Sequence, residues 1–182
     1  FSSVELPAVE ITDYPRFGYR GMHLDIARHF QDVNFIKKYI DILALHNINA
    51  FHWHLVDDQG WRVEIKKYPL LTTISTTRKE TVIGRNSGVW DGKPYGKGMF
   101  YTQEQLREVV EYAAERHIDI IPEIDMPGHS AYFRNAFGFS MDSEDGMKVL
   151  EKCIEEFCNE IPVSMCPYLH IGSDEVYIAD PK

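Results

Sequence analysis

Ala50-Phe51-His52-Trp53-His54-Leu55-Val56 is the stretch whose reading decides the fold. Side chains of an extended strand alternate between two faces, so Phe51, Trp53 and Leu55 share one face and His52 and His54 share the other. A later run, Asp119 to Ile124, repeats the division, with Ile118, Ile120 and Ile124 opposing Glu123 and Asp125. The apolar face is expected to meet helices, and the other face collects ionisable groups. Alternating strands and helices fit either an open doubly wound sheet or a (β/α)8 barrel. Ionisable groups converging from several strands suit the mouth of a barrel, where sites sit at the C-terminal ends of the strands. The expected fold class is therefore α/β, of the (β/α)8 TIM-barrel type.

Working outward, Phe17 to Leu24 reads as the first strand and Ala50 to Val56 as the second. Between them Asp32 is an expected N-cap, Ile36, Ile40 and Leu43 form an apolar stripe, and Asn47 suits a left-handed helix exit. Residues 57–100 form a long excursion rich in Gly and Thr, too long for a plain loop and expected to hold a hairpin. Thr102 and Gln105 make a capping box, Tyr101 and Leu106 a hydrophobic staple, and Leu106, Val109, Val110 and Ala113 one stripe. A third helix is expected from Asp142 or Ser143, burying Met147, Leu150, Ile154, Phe157 and Ile161. Tyr168 to Ile171 reads as the fourth strand. A complete barrel needs eight strands and about 250 residues, so residues 1–182 are expected to supply only the first four βα units of one catalytic domain. Either the natural polypeptide continues, or two copies associate to cover the open edges; the first reading is preferred.

Composition excludes several function classes. The net charge of −9 argues against nucleic acid, which selects clustered Lys and Arg. No apolar run approaches the ~20 residues that span a bilayer, and residues 1–10 lack the basic and apolar regions of a signal peptide. Cys153, Cys158 and Cys166 show no metal-type spacing and read as core thiols.

The strongest chemical signal is His170-Ile171-Gly172-Ser173-Asp174-Glu175. Adjacent carboxylates in a strand diverge, so for Asp174 and Glu175 to reach one pocket the backbone must turn, which Gly172 permits. Two anions so close are expected to raise one pKa, as a general acid requires. Arg20 near the first strand offers a fork that clamps sugar hydroxyls; equally, Asp25 holds Arg20 or Arg28 in a structural ion pair. His52 and His54, with His129, His170 and Asp174, contain the ligand types of a metal-dependent hydrolase. The alternative, histidines hydrogen-bonded to a carboxylate such as Glu123, is preferred, because no inward Lys is present to bridge two metals. Pro127-Gly128 is expected to turn tightly and deliver His129 over the pocket. Trp61, Trp90 and Tyr95 are candidates either to stack on sugar faces or to pack their own loop.

Taken in order, Arg20-Gly21 through Asp25 and Arg28-His29, His52 through Gln59, Tyr101-Thr102 through Glu104, Pro122 through His129, and His170 through Glu175 resemble glycoside hydrolase family 20. The resemblance implies a retaining exo-β-N-acetylhexosaminidase that removes terminal N-acetylglucosamine or N-acetylgalactosamine from glycans such as chitin, with no metal or cofactor. It implies substrate-assisted catalysis: Glu175 as acid and then base, Asp174 orienting the 2-acetamido group, and Arg20, Asp57 and His129 binding substrate. Asp25, His54, Glu123 and His170 would support them. The family also implies a periplasmic, lysosomal or extracellular place, and an accessory domain and later strands that are absent here, so the piece alone is expected to be inactive. A carbohydrate-binding relic is a further alternative, against which the intact acid pair speaks. The sequence departs from the family at Ser173, where a second Gly is usual, at Thr77, where many members have Trp, and over Ala131 to Met141, which lacks a longer Cys-containing loop.

Overall fold

The computed structural model describes residues 5, 7–85, 88–161 and 164–176. Its elements are β1 (Gly21–Asp25), α1 (Val33–Leu45), β2 (Ala50–Asp57), β3 (Gly60–Trp61), α2 (Leu70–Thr73), α3 (Gln103–Ala114), β4 (Asp119–Ile124), α4 (Ala131–Phe137) and α5 (Glu144–Glu160). No described helix is long and apolar enough to cross a membrane.

The sheet is α/β in class, and its parallel strands lie side by side in chain order. β1 pairs with β2 from Gly21↔Ala50 to Asp25↔His54, and β2 pairs with β4 from Ala50↔Asp119 to His54↔Glu123. The segment expected as the fourth strand follows β4 as a parallel bridge, Glu123↔His170. Three backbone bonds hold it: His170 N–H to the Pro122 carbonyl (2.9 Å), and Ile124 and Met126 N–H to the His170 and Ile171 carbonyls (both 3.0 Å).

The parity expected of β2 holds for its first five residues and then breaks. His54 faces Glu123, but Val56 faces Ile124, so β2 spends two residues where β4 spends one. Such a bulge re-aims every side chain after it. Asp57, which strict alternation places on the helix side, therefore joins His54 on the polar side. A two-residue turn, Asp58-Gln59, then folds β3 back on β2 through Val56↔Trp61 and Asp57↔Gly60. Further along the excursion, Arg78↔Tyr95 and Val82↔Trp90 form the expected hairpin. Arg62 pins this excursion from within. It is wholly buried, and its guanidinium donates to the backbone carbonyls of Ala27, Thr76 and Met99. Burial lowers its pKa to about 10.

The helices form where their caps and stripes direct. Asp32 accepts from Phe35 N–H at the start of α1, whose buried residues are Ile36, Ile40 and Leu43; Asn47 beyond it has φ 56°. Thr102 and Gln105 complete a reciprocal capping box on α3, which buries Leu106, Val109, Val110 and Ala113. These stripes meet Phe51, Trp53, Leu55, Ile118, Ile120 and Ile124 in one core. Burial of each such large apolar side chain stabilises the fold by about 1.5–3 kcal/mol.

Several expectations need correction. β1 is Gly21–Asp25 rather than 17–24, because side chains take the Arg20 N–H and the Phe17 and Gly18 carbonyls before it. Arg20 N–H donates to Asn49 Oδ1, and the Phe17 and Gly18 carbonyls accept from Arg20 and Asn49 side chains. α5 is capped by Ser143 as expected, but its buried stripe is Gly146, Leu150, Cys153 and Phe157. Met147 is half-exposed because Gly146 takes the contact: a Cβ there would lie 2.2 Å from the Ser140 carbonyl. Ile154 is only partly buried. The short α4, which buries Tyr132 and Phe133, occupies a stretch with no expected helix. Cys153 and Cys166 are buried free thiols as expected, whereas Cys158 is exposed.

Candidate active site

The site is built at the C-terminal ends of the parallel strands. A hollow of about 360 Å³ there is lined by His23, Arg28, His52, His54, Asp57, Glu123, Asp125, His170, Gly172 and Asp174. β2 supplies His52, His54 and, through its bulge, Asp57. β4 supplies Glu123 and, one residue past its end, Asp125. The segment after His170 supplies the adjacent acids.

Glu123 is the hub of the inner wall. Its Oε2 accepts from His52 Nε2 (2.6 Å) and His54 Nδ1 (2.7 Å), and its Oε1 lies 3.4 Å from His170 Nδ1. Burial would raise its carboxyl, but the two ring donors hold it well below the usual carboxylate range. His54 gives its other nitrogen to Asp57 Oδ2 at 2.9 Å. Burial would favour a neutral ring, yet the hydrogen bonds to Asp57 and Glu123 push its pKa up to about 10. His54 is therefore a buried imidazolium between two carboxylates. Among the described residues His52 and His54 do not share a ligating cluster: His52 groups with His23 and Glu123, and His54 with Asp57 and Asp125.

The charge network makes stability depend on pH. Since the folded value of His54 lies above the usual imidazole value of about 6.5, its contribution is complete below about pH 6.5 and is lost as pH rises through about 10. Glu123 has the opposite sign, contributing above the usual carboxylate value of about 4.3 and losing that as pH falls. Melting temperatures measured between about pH 6.5 and 10 should fall more steeply in the natural sequence than in His54→Gln. Parallel curves would contradict the buried charge.

Asp57 connects this wall to the acids. Its Oδ2 also meets Arg28 Nη2 at 2.8 Å, while its Oδ1 accepts from Asp58 N–H (2.7 Å) and faces His129 Nδ1 at 3.4 Å. His129 is delivered by the turn at Pro127-Gly128, as expected. Its Nε2 makes ion-pair contacts with Asp174 Oδ2 (3.5 Å) and Glu175 Oε2 (3.2 Å). Burial would lower its pKa, but Asp57, then Asp125 and Asp174, raise it. The adjacent acids do turn into one place: φ is 64° at Gly172, 74° at Ser173 and 50° at Glu175. Gly172 is required on a second count, since a Cβ there would lie 2.0 Å from Asp125 Oδ1. Gly128 must also stay bare, with a Cβ falling 2.7 Å from the Asp174 carbonyl.

One expected residue is not brought here. Arg20 precedes β1, at the opposite end of the sheet, five residues and about 16 Å of extended chain from Asp25. Its guanidinium is occupied by the Asn47, Phe17 and Gly18 carbonyls. Arg28 stands in the hollow instead, because it follows the C-terminal end of β1. It holds Asp25 Oδ2 at 2.8 Å as well as Asp57, so Asp25 pairs with Arg28 and not with Arg20. His23 and Asp125 also line the hollow without being expected there, and the sequence carried a signal for Asp125. It shares the parity that singles out Glu123, and that was its signal. It is buried, accepts from Ser173 N–H at 3.0 Å, and has its carboxyl raised by burial and then by the charge of Asp174. Of the candidate aromatics, Trp61 is buried and donates to the Val63 carbonyl. Tyr95 lies under the Arg78 guanidinium (4.1 Å to its centroid) and accepts from Phe30 N–H. Trp90 alone of the three is half-exposed.

Comparison with known proteins matches this arrangement to one family. Residues 17–143 match the family described as glycosyl hydrolase family 20, catalytic domain. The chain is 45% identical over 188 residues to a β-hexosaminidase of Porphyromonas gingivalis, covering 93% of this chain and 23% of that protein. It is 40% identical to a β-hexosaminidase of Vibrio furnissii, covering 97% and 32%. Among solved structures it resembles the exo-β-N-acetylglucosaminidase of Vibrio harveyi, determined with N-acetylglucosamine, at TM-score 0.76 and 39% identity over 90% of this chain and 28% of that one. The β-N-acetylhexosaminidase of Bacteroides fragilis gives TM-score 0.72 and 35% identity over 92% and 34%. The chain thus spans about a quarter to a third of the length of these relatives. It belongs to glycosyl hydrolase family 20.

Proposed function

We propose that this chain is the first half of a (β/α)8 barrel, strands 1–4, in a retaining exo-β-N-acetylhexosaminidase acting on glycans that end in N-acetylglucosamine or N-acetylgalactosamine. The observation that carries the reading is the placement of Asp174 and Glu175 together on His129 Nε2, at 3.5 and 3.2 Å. Sequential parallel strand order and a site at the strand ends support the barrel.

In this reading the terminal sugar sits over the hollow with its glycosidic oxygen toward Glu175. Glu175 donates a proton to that oxygen as the bond to the anomeric carbon breaks. The carbonyl oxygen of the sugar's own 2-acetamido group attacks the anomeric carbon and forms an oxazolinium ion. Asp174 accepts the amide N–H, orients the group and stabilises the positive charge it gains. Glu175, now a carboxylate, takes a proton from the incoming water, and configuration is retained. Asp125, pressed against Asp174, confines that carboxylate. Arg28 takes the sugar-holding role: its guanidinium has five N–H donors, and its bonds to Asp25 and Asp57 use only part of them.

Two measurements test this on the enzyme that carries the chain. Aryl N-acetyl-β-glucosaminide should turn over and the aryl β-glucoside, lacking the acetamido group, should not; equal turnover would overturn the reading. Arg28→Met should lower kcat/KM about 10–100-fold, the value of a charge-assisted hydrogen bond of about 1.5–3 kcal/mol. Arg20→Met should leave kcat/KM within about threefold and lower the melting temperature instead. The reverse ranking would place the sugar elsewhere.

A further inference from the structure

We infer that His54 is a positioning residue for the acid, acting on Glu175 through Asp57 and His129. The inference rests on the proposed role of Glu175, and geometry carries it. The side chains form an alternating chain of acids and bases: Glu175 Oε2 to His129 Nε2 at 3.2 Å, His129 Nδ1 to Asp57 Oδ1 at 3.4 Å, Asp57 Oδ2 to His54 Nε2 at 2.9 Å, and His54 Nδ1 to Glu123 Oε2 at 2.7 Å. The two inner contacts are hydrogen bonds and are shorter than the two outer ion-pair contacts. His54, Asp57 and Glu123 are all at least 95% buried, whereas the Glu175 side chain is 80% exposed. The acid thus lies at the solvated end of the chain, and His54 belongs to its buried end.

Asp57 presents Oδ1 to His129 while His54 and Arg28 hold its Oδ2, and these two holders are unequal. Arg28 approaches Oδ2 from the partly exposed wall at 2.8 Å and is the group proposed to meet substrate. His54 approaches from the interior at 2.9 Å, is 95% buried at the floor of the hollow, and is itself fixed by Glu123. The bulge between His54 and Val56 is what brings the two side chains to one face. Without it, Asp57 would point to the helix side and the chain of contacts would be cut.

A residue that works through the acid matters most when the leaving group needs a proton. His54→Gln, kept folded by an amide that still bonds one neighbour, should therefore lose about 10–100-fold in kcat/KM on an alkyl N-acetyl-β-glucosaminide, a part of what general acid catalysis supplies. On the dinitrophenyl glycoside, whose leaving group departs unprotonated, the loss should stay within about threefold. A purely structural role lowers both equally, and equal losses would overturn the inference. Glu175→Gln run alongside separates the two readings. If it shows the leaving-group dependence and His54→Gln does not, the acid stands and His54 has no part in it. If Glu175→Gln shows none, the assignment of the acid fails first. Should His54→Gln fail to fold, Glu123→Gln, which releases the inner anchor but keeps the ring, must show the same dependence on leaving group, and its absence would overturn the inference.

Discussion

Glu175→Gln in the enzyme that carries this chain is expected to lower kcat on an alkyl or disaccharide N-acetylhexosaminide by about 10²–10⁴-fold, while KM changes little. The amide is nearly isosteric and keeps a hydrogen-bonding oxygen, but it has no proton to give the glycosidic oxygen and cannot later deprotonate water. Its neighbours explain why the loss should appear in kcat. Glu175 meets His129 and stands exposed at the rim, so the nearly isosteric substitution disturbs only that contact. On a substrate with an activated leaving group the first step recovers and the second limits, giving a burst of aryl alcohol followed by slow turnover. A variant that binds more weakly but turns over at the natural rate would mean that Glu175 is a binding residue.

Asp174→Asn is expected to cost about 10²–10³-fold in kcat, the size found when one preorganised electrostatic contact to a developing charge is removed. In the proposed mechanism the charge that develops is positive, spread over the amide as its oxygen bonds the anomeric carbon. A carboxylate placed against the amide N–H stabilises it, and a neutral Asn stabilises it less. Burial and the charge of Asp174 both raise the Asp125 carboxyl. Removing the Asp174 charge should therefore let the Asp125 pKa fall, a shift readable by carboxyl NMR. The same titration in Gly172→Ala serves as a comparison, because a Cβ at 2.0 Å from Asp125 Oδ1 must displace that carboxyl without removing a charge. An Asp174→Asn enzyme with full kcat would remove the acetamido-steering role altogether.

Much of this architecture is legible in the residues because short-range physics fixes it. The alternation in β2, the Asp32 cap, the Thr102–Gln105 box and the turn at Gly172 each follow from a local rule, and each stands in the structure. The remainder depends on longer-range choices. A one-residue bulge that answers to β4 rather than to β2 sends Asp57 to the site, and no pattern within residues 50–57 announces it. The choice between Arg20 and Arg28 turns on where β1 begins. Placing the strand at 17–24 brings the wrong guanidinium to the centre, because Asn49 and the Arg20 side chain, distant or off-pattern in sequence, satisfy the backbone that a strand would have paired. α4 begins without a side-chain cap of its own; Asp58, across the site, accepts from its first N–H at 2.9 Å. Met147 and Gly146 exchange places because a helix buries the residue that fits, and here a close carbonyl leaves room only for hydrogen.

The central claim is that the substrate's own amide oxygen is the nucleophile, steered by Asp174 and assisted by Glu175. It is tested most directly by kcat/KM for aryl glucosaminides whose N-acyl group carries zero, one, two or three fluorines. Each fluorine withdraws electron density from the amide oxygen, so the account predicts a stepwise fall across the series, and a shallower one in Asp174→Asn. Rates independent of fluorination would show that another group attacks the anomeric carbon, and would contradict it.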